Sequence, residues 1–202
     1  MLYQPPPQEA YSPSQISIDG TNLNTVKHFT YLGSIIFKDA TISKDLDNCL
    51  SKASSSFWRL SKQVLRSHLF LLSSKLQVYR AIVIPTLLCS AETWVFYLKQ
   101  IRLLEQFHQH CLCSILFING KTVSNKEVLK RAGLPSIMSI MLQVQLSWAG
   151  HITRIEDICM PKPVLFSKLQ QGKHDHGAPR CKDQLKRQLA QAQLSVVVAG
   201  RP

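Results

Sequence analysis

Acidic residues are scarce in this sequence: twelve Asp and Glu stand against twenty-four Lys and Arg, and no two aspartates are adjacent. Two-metal phosphoryl transfer needs carboxylates close enough to hold cations a few Å apart. The one acidic doublet, Glu156-Asp157, falls in an expected solvated turn. The eight glycines form neither a Gly-x-x-x-x-Gly-Lys phosphate loop nor a Gly-x-Ser-x-Gly nucleophile elbow. The six cysteines (49, 89, 111, 113, 159 and 181) follow no disulfide-framework or zinc-finger spacing, and no charged segment followed by an apolar one opens the chain. A reduced intracellular setting, nucleus or cytoplasm, is expected, with no secretion. The most apolar run, Ile82 to Leu88, is interrupted by Pro85. It is far short of the roughly 20 residues of a membrane span, so no transmembrane helix is expected.

What is present is positive charge. A net charge of +12 and a pI near 9.6 point to a polyanionic partner, nucleic acid first and an acidic membrane surface second. A basic but inert surface is the ordinary alternative. With 202 residues, 45% of them apolar, the chain suits one domain with a real core.

The patterning predicts a mainly α fold with an N-terminal β-hairpin and a basic, partly irregular C-terminal region. Residues 1–14 read as an irregular arm. Residues 15–37 read as a hairpin turning at Asp19-Gly20, with a return strand through Leu23 and Val26 to Tyr31 and a break or bulge at Gly33. Ile42, Leu46, Cys49, Ala53, Phe57 and Leu60 make one helical stripe, with Lys52, Arg59 and Lys62 on the outer face. A second helix is expected from Leu72 to about Leu98, kinked or split at Pro85. A third should run from Arg102 to Ile118 and end at Asn119-Gly120. Ser124-Asn-Lys-Glu127 is a capping box for a short helix closed by Gly133 and Pro135. Ser136 should cap a helix through Met141 and Trp148 that Gly150 terminates. Beyond Pro161 the pattern weakens, apart from a last helix expected over 182–193. These readings divide the chain into 1–14, 15–37, a helical bundle over 38–120, further helices over 121–160, and a basic linker with tail over 161–202.

Candidate chemistry is thin. On a helix, His108, His110, Cys111 and Cys113 point around most of the circumference and cannot converge on one metal ion. His174 and His176 lack partners at finger spacing. No catalytic residue and no metal site is assigned. The basic clusters carry more. Residues 162–187 hold seven cations against Asp175 and Asp183, and Lys121, Lys126, Lys130 and Arg131 form a second group. Such stretches neutralise phosphates without reading sequence. The nucleic-acid candidates are Lys126, Lys130, Arg154, Lys168, Lys173, Arg180, Lys182 and Lys186. Trp58, Trp94 and Trp148 lie on or beside apolar stripes and are expected in the core rather than as stacking platforms.

Several motifs in order carry a resemblance. They are Met1-Leu-Tyr-Gln-Pro, Phe29-Thr-Tyr-Leu-Gly33, Ser51-Lys-Ala-Ser54 with Arg59-Leu60, Lys75-Leu-Gln-Val-Tyr-Arg80 and Pro85-Thr-Leu-Leu88. Then come Glu92-Thr-Trp94, Leu104-Glu-Gln-Phe-His108, Glu127-Val-Leu-Lys with Ala132-Gly-Leu-Pro-Ser136, and Gln145 to His151. Together they resemble the part after the catalytic palm in endonuclease–reverse transcriptases of non-LTR (LINE-type, RTE-like) retrotransposons, over about residues 1–188.

The resemblance implies that Phe29, Tyr31, Leu32 and Gly33 form a primer-grip-like hairpin, and that the helices after it are a thumb-like bundle packing along a template–primer duplex. Post-thumb helices and a basic linker would follow. Mg would belong to the palm, so no cofactor is expected in this chain, and RNA-directed DNA polymerase activity would be the parent enzyme's. Low-affinity, non-specific binding of an RNA or DNA duplex is the expected remnant, with no membrane partner. The family's very basic loop here reads Gly172-Lys-His-Asp-His-Gly177, Cys89-Ser-Ala-Glu92 replaces an aromatic and a glycine, and the tail diverges after Leu189. A truncated or decayed copy would account for these departures. Two other readings stay open: a host-recruited protein-interaction or self-associating module using apolar surface around Ile16, Ile18 and Tyr31, and a translated relic without a selected role.

Overall fold

The computed structural model of the chain describes residues 16–18, 20–24, 26, 28–31, 34–37, 42–92, 94, 97–118, 123–157, 159 and 161–166. The fold is mainly helical with small antiparallel strand pairs near the N-terminus. It divides into two compact units, Leu46–Trp148 and a second comprising Met1–Asp45 with Ala149–Pro202.

In the Leu46–Trp148 unit, α1 (Ile42–Leu60) enters at Leu46 and runs on as a π-helical turn, Ser61–Leu65. Its buried positions are Leu46, Cys49, Ala53, Phe57, Ser61 and Leu65. From Cys49 on, the spacing is four. On an α-helix each such step overshoots a turn by about 40°, so the stripe would wind off the core; a wider π turn undershoots and brings it back. The next helix uses the same device. α2 (Leu72–Val78), a π turn (Tyr79–Val83) and α3 (Ile84–Leu87) form one continuous rod whose buried residues include Lys75, Tyr79, Val83 and Leu87. Pro85 lacks the N–H that would bond one turn back and its ring crowds that carbonyl, and the π turn just before it accommodates both defects.

The rod ends at Leu87, well before the expected Leu98, in a run of turns through Glu92. Ser90 takes the left-handed conformation at φ 68°, which no continuing helix allows. α4 (Leu98–Leu116) begins four residues ahead of the expected Arg102, because the Tyr97 N–H donates to Gln100 Oε1 at 3.0 Å and caps it there. It ends at Phe117 in the left-handed conformation, with Asn119-Gly120 outside the described residues. The Phe117 ring stacks on His68 with centroids 5.2 Å apart, and the Lys75 ammonium lies 5.1 Å from its centroid.

α5 (Asn125–Ala132) is capped as predicted: Ser124 Oγ accepts from Glu127 N, and Gly133 at φ 61° closes it. α6 (Ile137–Arg154) has two caps. Ser136 Oγ accepts from Ser139 N at 3.2 Å, and Glu105 Oε1, from α4, accepts from Met138 N at 3.0 Å. Gly150 does not stop α6. A helical glycine costs only about 1 kcal/mol, and the last turn gains the buried Ile152 and a Thr153 Oγ1 bond to the Gly150 carbonyl.

In the second unit, β1 (Ser17–Ile18) pairs with β2 (Thr21–Asn22) about Gly20, at φ 75°. β3 (His28–Tyr31) does not return along β1. It pairs with β4 (Ser34–Phe37), with Tyr31 opposite Ser34 and Phe29 opposite Ile36. Each strand has taken its nearest partner in sequence, the arrangement with the smallest loop-closure cost. After α6, Lys162 Nζ on α7 (Pro161–Phe166) donates to the Ile155 carbonyl at 2.9 Å and pairs with Asp157 at 2.6 Å.

Candidate nucleic-acid interface

α1 and the α2–α3 rod form an antiparallel helical hairpin. Cys49 Sγ lies 3.7 Å from the Cys89 carbonyl oxygen at one end, and the Phe57 ring meets Tyr79 edge-on, centroids 6.3 Å apart, nearer the middle. Between Asp47 and Glu92 the sequence has no carboxylate, while Lys52, Arg59, Lys62, Arg66, Lys75 and Arg80 all fall there. Lys75 is buried over Phe117, and the other five are exposed.

Four of these five share a face. Lys52, Arg59, Lys62 and Arg66 are separated by seven, three and four residues, which is helical spacing along the exposed side of α1 and its π turn, with Lys52 also lining the cleft toward the rod. At 1.5 Å per residue the ridge is about 21 Å long. Trp58, expected in the core, stands beside the ridge at 51% exposure. The core site on α1 goes to Phe57 one position earlier, and adjacent helical residues point about 100° apart. Trp94 is buried and Trp148 half-buried, as expected.

The cations chosen from the sequence distribute differently. Lys126 and Lys130 are exposed on α5, four residues apart, while Arg131 is paired with Glu127 at 2.9 Å. Arg154 is exposed at the end of α6, its guanidinium folded back so that Nη1 lies 3.3 Å from where a Cβ on Gly150 would stand. Lys168, Lys173, Arg180, Lys182 and Lys186 lie outside the described residues. Of the primer-grip-like set, Phe29 is half exposed on β3, the Tyr31 backbone belongs to the same strand, and Leu32 and Gly33 lie outside the described residues. The sequence shows the ridge in part, since Lys52, Arg59 and Lys62 fall on an outer face. The missed signal was the absence of carboxylates from the whole hairpin.

Three titratable groups of the core meet at Tyr79. The Tyr79 hydroxyl is 2.8 Å from His108 Nδ1, with the rings stacked at 5.8 Å, and both are fully buried. Burial lowers the His108 pKa, against opposing influences from Glu105 and the Pro135 backbone. Burial also raises Tyr79, and pushes the Cys111 thiol up to about 12 despite its hydrogen bond with Tyr79. A thiol so shifted stays protonated at neutral pH and is not a nucleophile. His110 is exposed and Cys113 half-buried, so the four side chains diverge as the helical spacing requires. Among the described residues no group of three His, Cys, Asp or Glu could hold a metal ion.

A cleft of about 420 Å³ is lined by Cys49, Lys52, Ala81, Ile82, Pro85, Thr86 and Cys89. It has no carboxylate or imidazole in its wall and so no acid–base pair. Chemically, the hairpin offers a line of exposed cations. No protein-family model, curated protein or solved structure matches the chain.

Proposed function

We propose that this chain corresponds to the primer-grip, thumb and post-thumb part of a non-LTR retrotransposon endonuclease–reverse transcriptase, and that by itself it binds template–primer duplex without sequence preference and without catalysing nucleotide transfer. The observation that carries the binding claim is the carboxylate-free hairpin with its exposed ridge of Lys52, Arg59, Lys62 and Arg66. A line of cations about 21 Å long matches a polyanion whose charges repeat along its length. Nothing on that face distinguishes one base from another, so the affinity comes from counterion release. The resemblance of the ordered motifs to that family supports this reading, and the thumb-like role is given to the helical unit on that basis. The metal-binding carboxylates of such a polymerase sit in its palm, which leaves this part to hold the duplex.

Fluorescence anisotropy of the full chain with an RNA–DNA hybrid, over a range of salt concentrations, tests this. Micromolar binding with a log–log salt slope of about −3 to −4 is expected if the ridge contributes its four cations. Affinity no greater than that of a neutral control protein, or a flat salt dependence, would overturn the reading.

A second reading has its own observation. Ile16, Ile18 and Phe29 are 45%, 57% and 50% exposed in the strand-pair region. These apolar side chains favour a protein-interaction module, which would show as stoichiometric capture of a defined protein in the absence of any duplex effect.

A further inference from the structure

We propose that the tip of the helical hairpin inserts into an anionic lipid surface, with Leu69, Phe70 and Leu71 entering the headgroup–acyl boundary and Lys62 and Arg66 contacting lipid phosphates. The contacts at Cys49–Cys89 and Phe57–Tyr79 set the hairpin's direction and place residues 66–71 at its turn. Four consecutive apolar residues stand there in solvent: Leu69 is 92% exposed, Phe70 46%, Leu71 75% and Leu72 42%. The same unit keeps Phe57, Leu65 and Leu87 almost wholly buried, so its core is closed without them. The outward display is also fixed. The Ser67 N–H bonds the Val64 carbonyl, Ser67 Oγ accepts from Leu69 N at 3.2 Å, and the His68 ring is stacked on Phe117.

The charge around the tip selects the occupant. No carboxylate lies between Asp47 and Glu92, so the hairpin itself flanks its apolar tip with Lys62 and Arg66 and no acidic residue. A second copy docking tip to tip would set Lys62 and Arg66 against themselves. A nucleic acid satisfies the cations but offers aliphatic Leu69 and Leu71 no apolar phase. An anionic bilayer supplies both, phosphates for the collar and hydrocarbon for the leucines, and such two-part binding is what holds peripheral proteins on membranes. No helix among the described residues is long and apolar enough to cross a membrane, and a tip lying in the interface requires none. The acidic membrane that composition ranks second to nucleic acid thus has a defined contact point, which does not depend on the duplex-binding reading.

The test is co-flotation of the full chain with phosphatidylcholine vesicles with and without phosphatidylserine. Binding is expected only with phosphatidylserine, and it should weaken as salt rises. Leu69→Asp with Leu71→Asp, at exposed positions that leave the fold intact, should reduce binding about a hundredfold. Lys62→Glu with Arg66→Glu should abolish the preference for phosphatidylserine. Leu69→Trp should shift its emission to the blue on those vesicles and not in buffer. Absence of binding, binding undiminished in the double-aspartate variant, or an unshifted tryptophan would each overturn insertion. Concentration-dependent self-association without vesicles, lost in the double-aspartate variant, would assign the tip to a second copy and equally overturn it. The double-aspartate variant should still bind the RNA–DNA hybrid, so failure of one proposal is distinguishable from failure of the other.

Discussion

The Tyr79 hydroxyl meets His108 Nδ1 at 2.8 Å inside the helical core, and both residues are fully buried. One comes from the π turn of the α2–α3 rod and the other from α4, so the contact ties two helices with a polar bond in an apolar interior. Among the described residues, buried His108 Nε2 makes no well-formed hydrogen bond, and the Pro135 backbone acts on the ring only as a lesser influence than burial.

Acid should therefore loosen the fold through His108. Burial holds its folded-state pKa below the ordinary 6.5, so below that pH the unfolded chain takes up a proton that the native core resists. The contribution is intact above about 6.5 and declines as pH falls from there toward the folded-state value. Urea midpoints at neutral pH and at mildly acidic pH should show the decline in the wild type, and His108→Gln should flatten it. An equally steep profile in the variant would assign the acid sensitivity elsewhere.

Gln145 on α6 donates through Nε2 to the carbonyls of Ala91 and Trp94, at 3.0 and 2.9 Å. It thereby satisfies two buried acceptors in the segment between the α2–α3 rod and α4. Gln145→Leu would remove this donor from both, but the Ala91 carbonyl keeps a bond from Trp94 N at 3.4 Å, so the variant should cost about 1–3 kcal/mol of stability, the penalty of one unsatisfied group. Chemical denaturation measures this directly. A loss below about 1 kcal/mol would show that water replaces the amide.

Gly133 separates backbone strain from steric crowding. It closes α5 at φ 61°, and a Cβ there would meet nothing within 4 Å. Gly133→Ala should thus cost only the left-handed penalty of about 1–2 kcal/mol, and Gly133→Asn less, since asparagine tolerates that region. Thermal unfolding of the two variants should rank them in that order.

The ridge and the α5 pair should contribute unequally to duplex binding. Reversing charge at Arg59 and Lys62 removes two of four aligned cations and should flatten the salt slope by about 2. Reversal at Lys126 and Lys130, a separate two-residue cluster, should change the slope by less than that. Parallel anisotropy titrations compare them, and a larger effect at α5 would move the interface there.

Sequence alone determined the elements that rest on local chemistry. The α1 stripe from Leu46 to Phe57, the Ser124 cap, the Gly133 stop and the turn at Gly20 were legible because each depends on residues within a few positions of one another. So was the divergence of His108, His110, Cys111 and Cys113 around α4, which follows from helical geometry. What tertiary structure decided was where local preference was weak or outvoted. α6 runs through Gly150 because one glycine costs less than the last turn gains, and β3 turns to β4 because a closer partner exists. The end of the α2–α3 rod and the start of α4 were settled by a left-handed serine and a Tyr97–Gln100 cap, neither of which leaves an apolar period. The π turns had the faintest trace in the sequence, a spacing of four sustained too long for an α-helix. The basic ridge came from both levels. Its charges are in the sequence, but only the packing of Phe57 and its neighbours against the rod turns Lys52, Arg59, Lys62 and Arg66 to one exposed face.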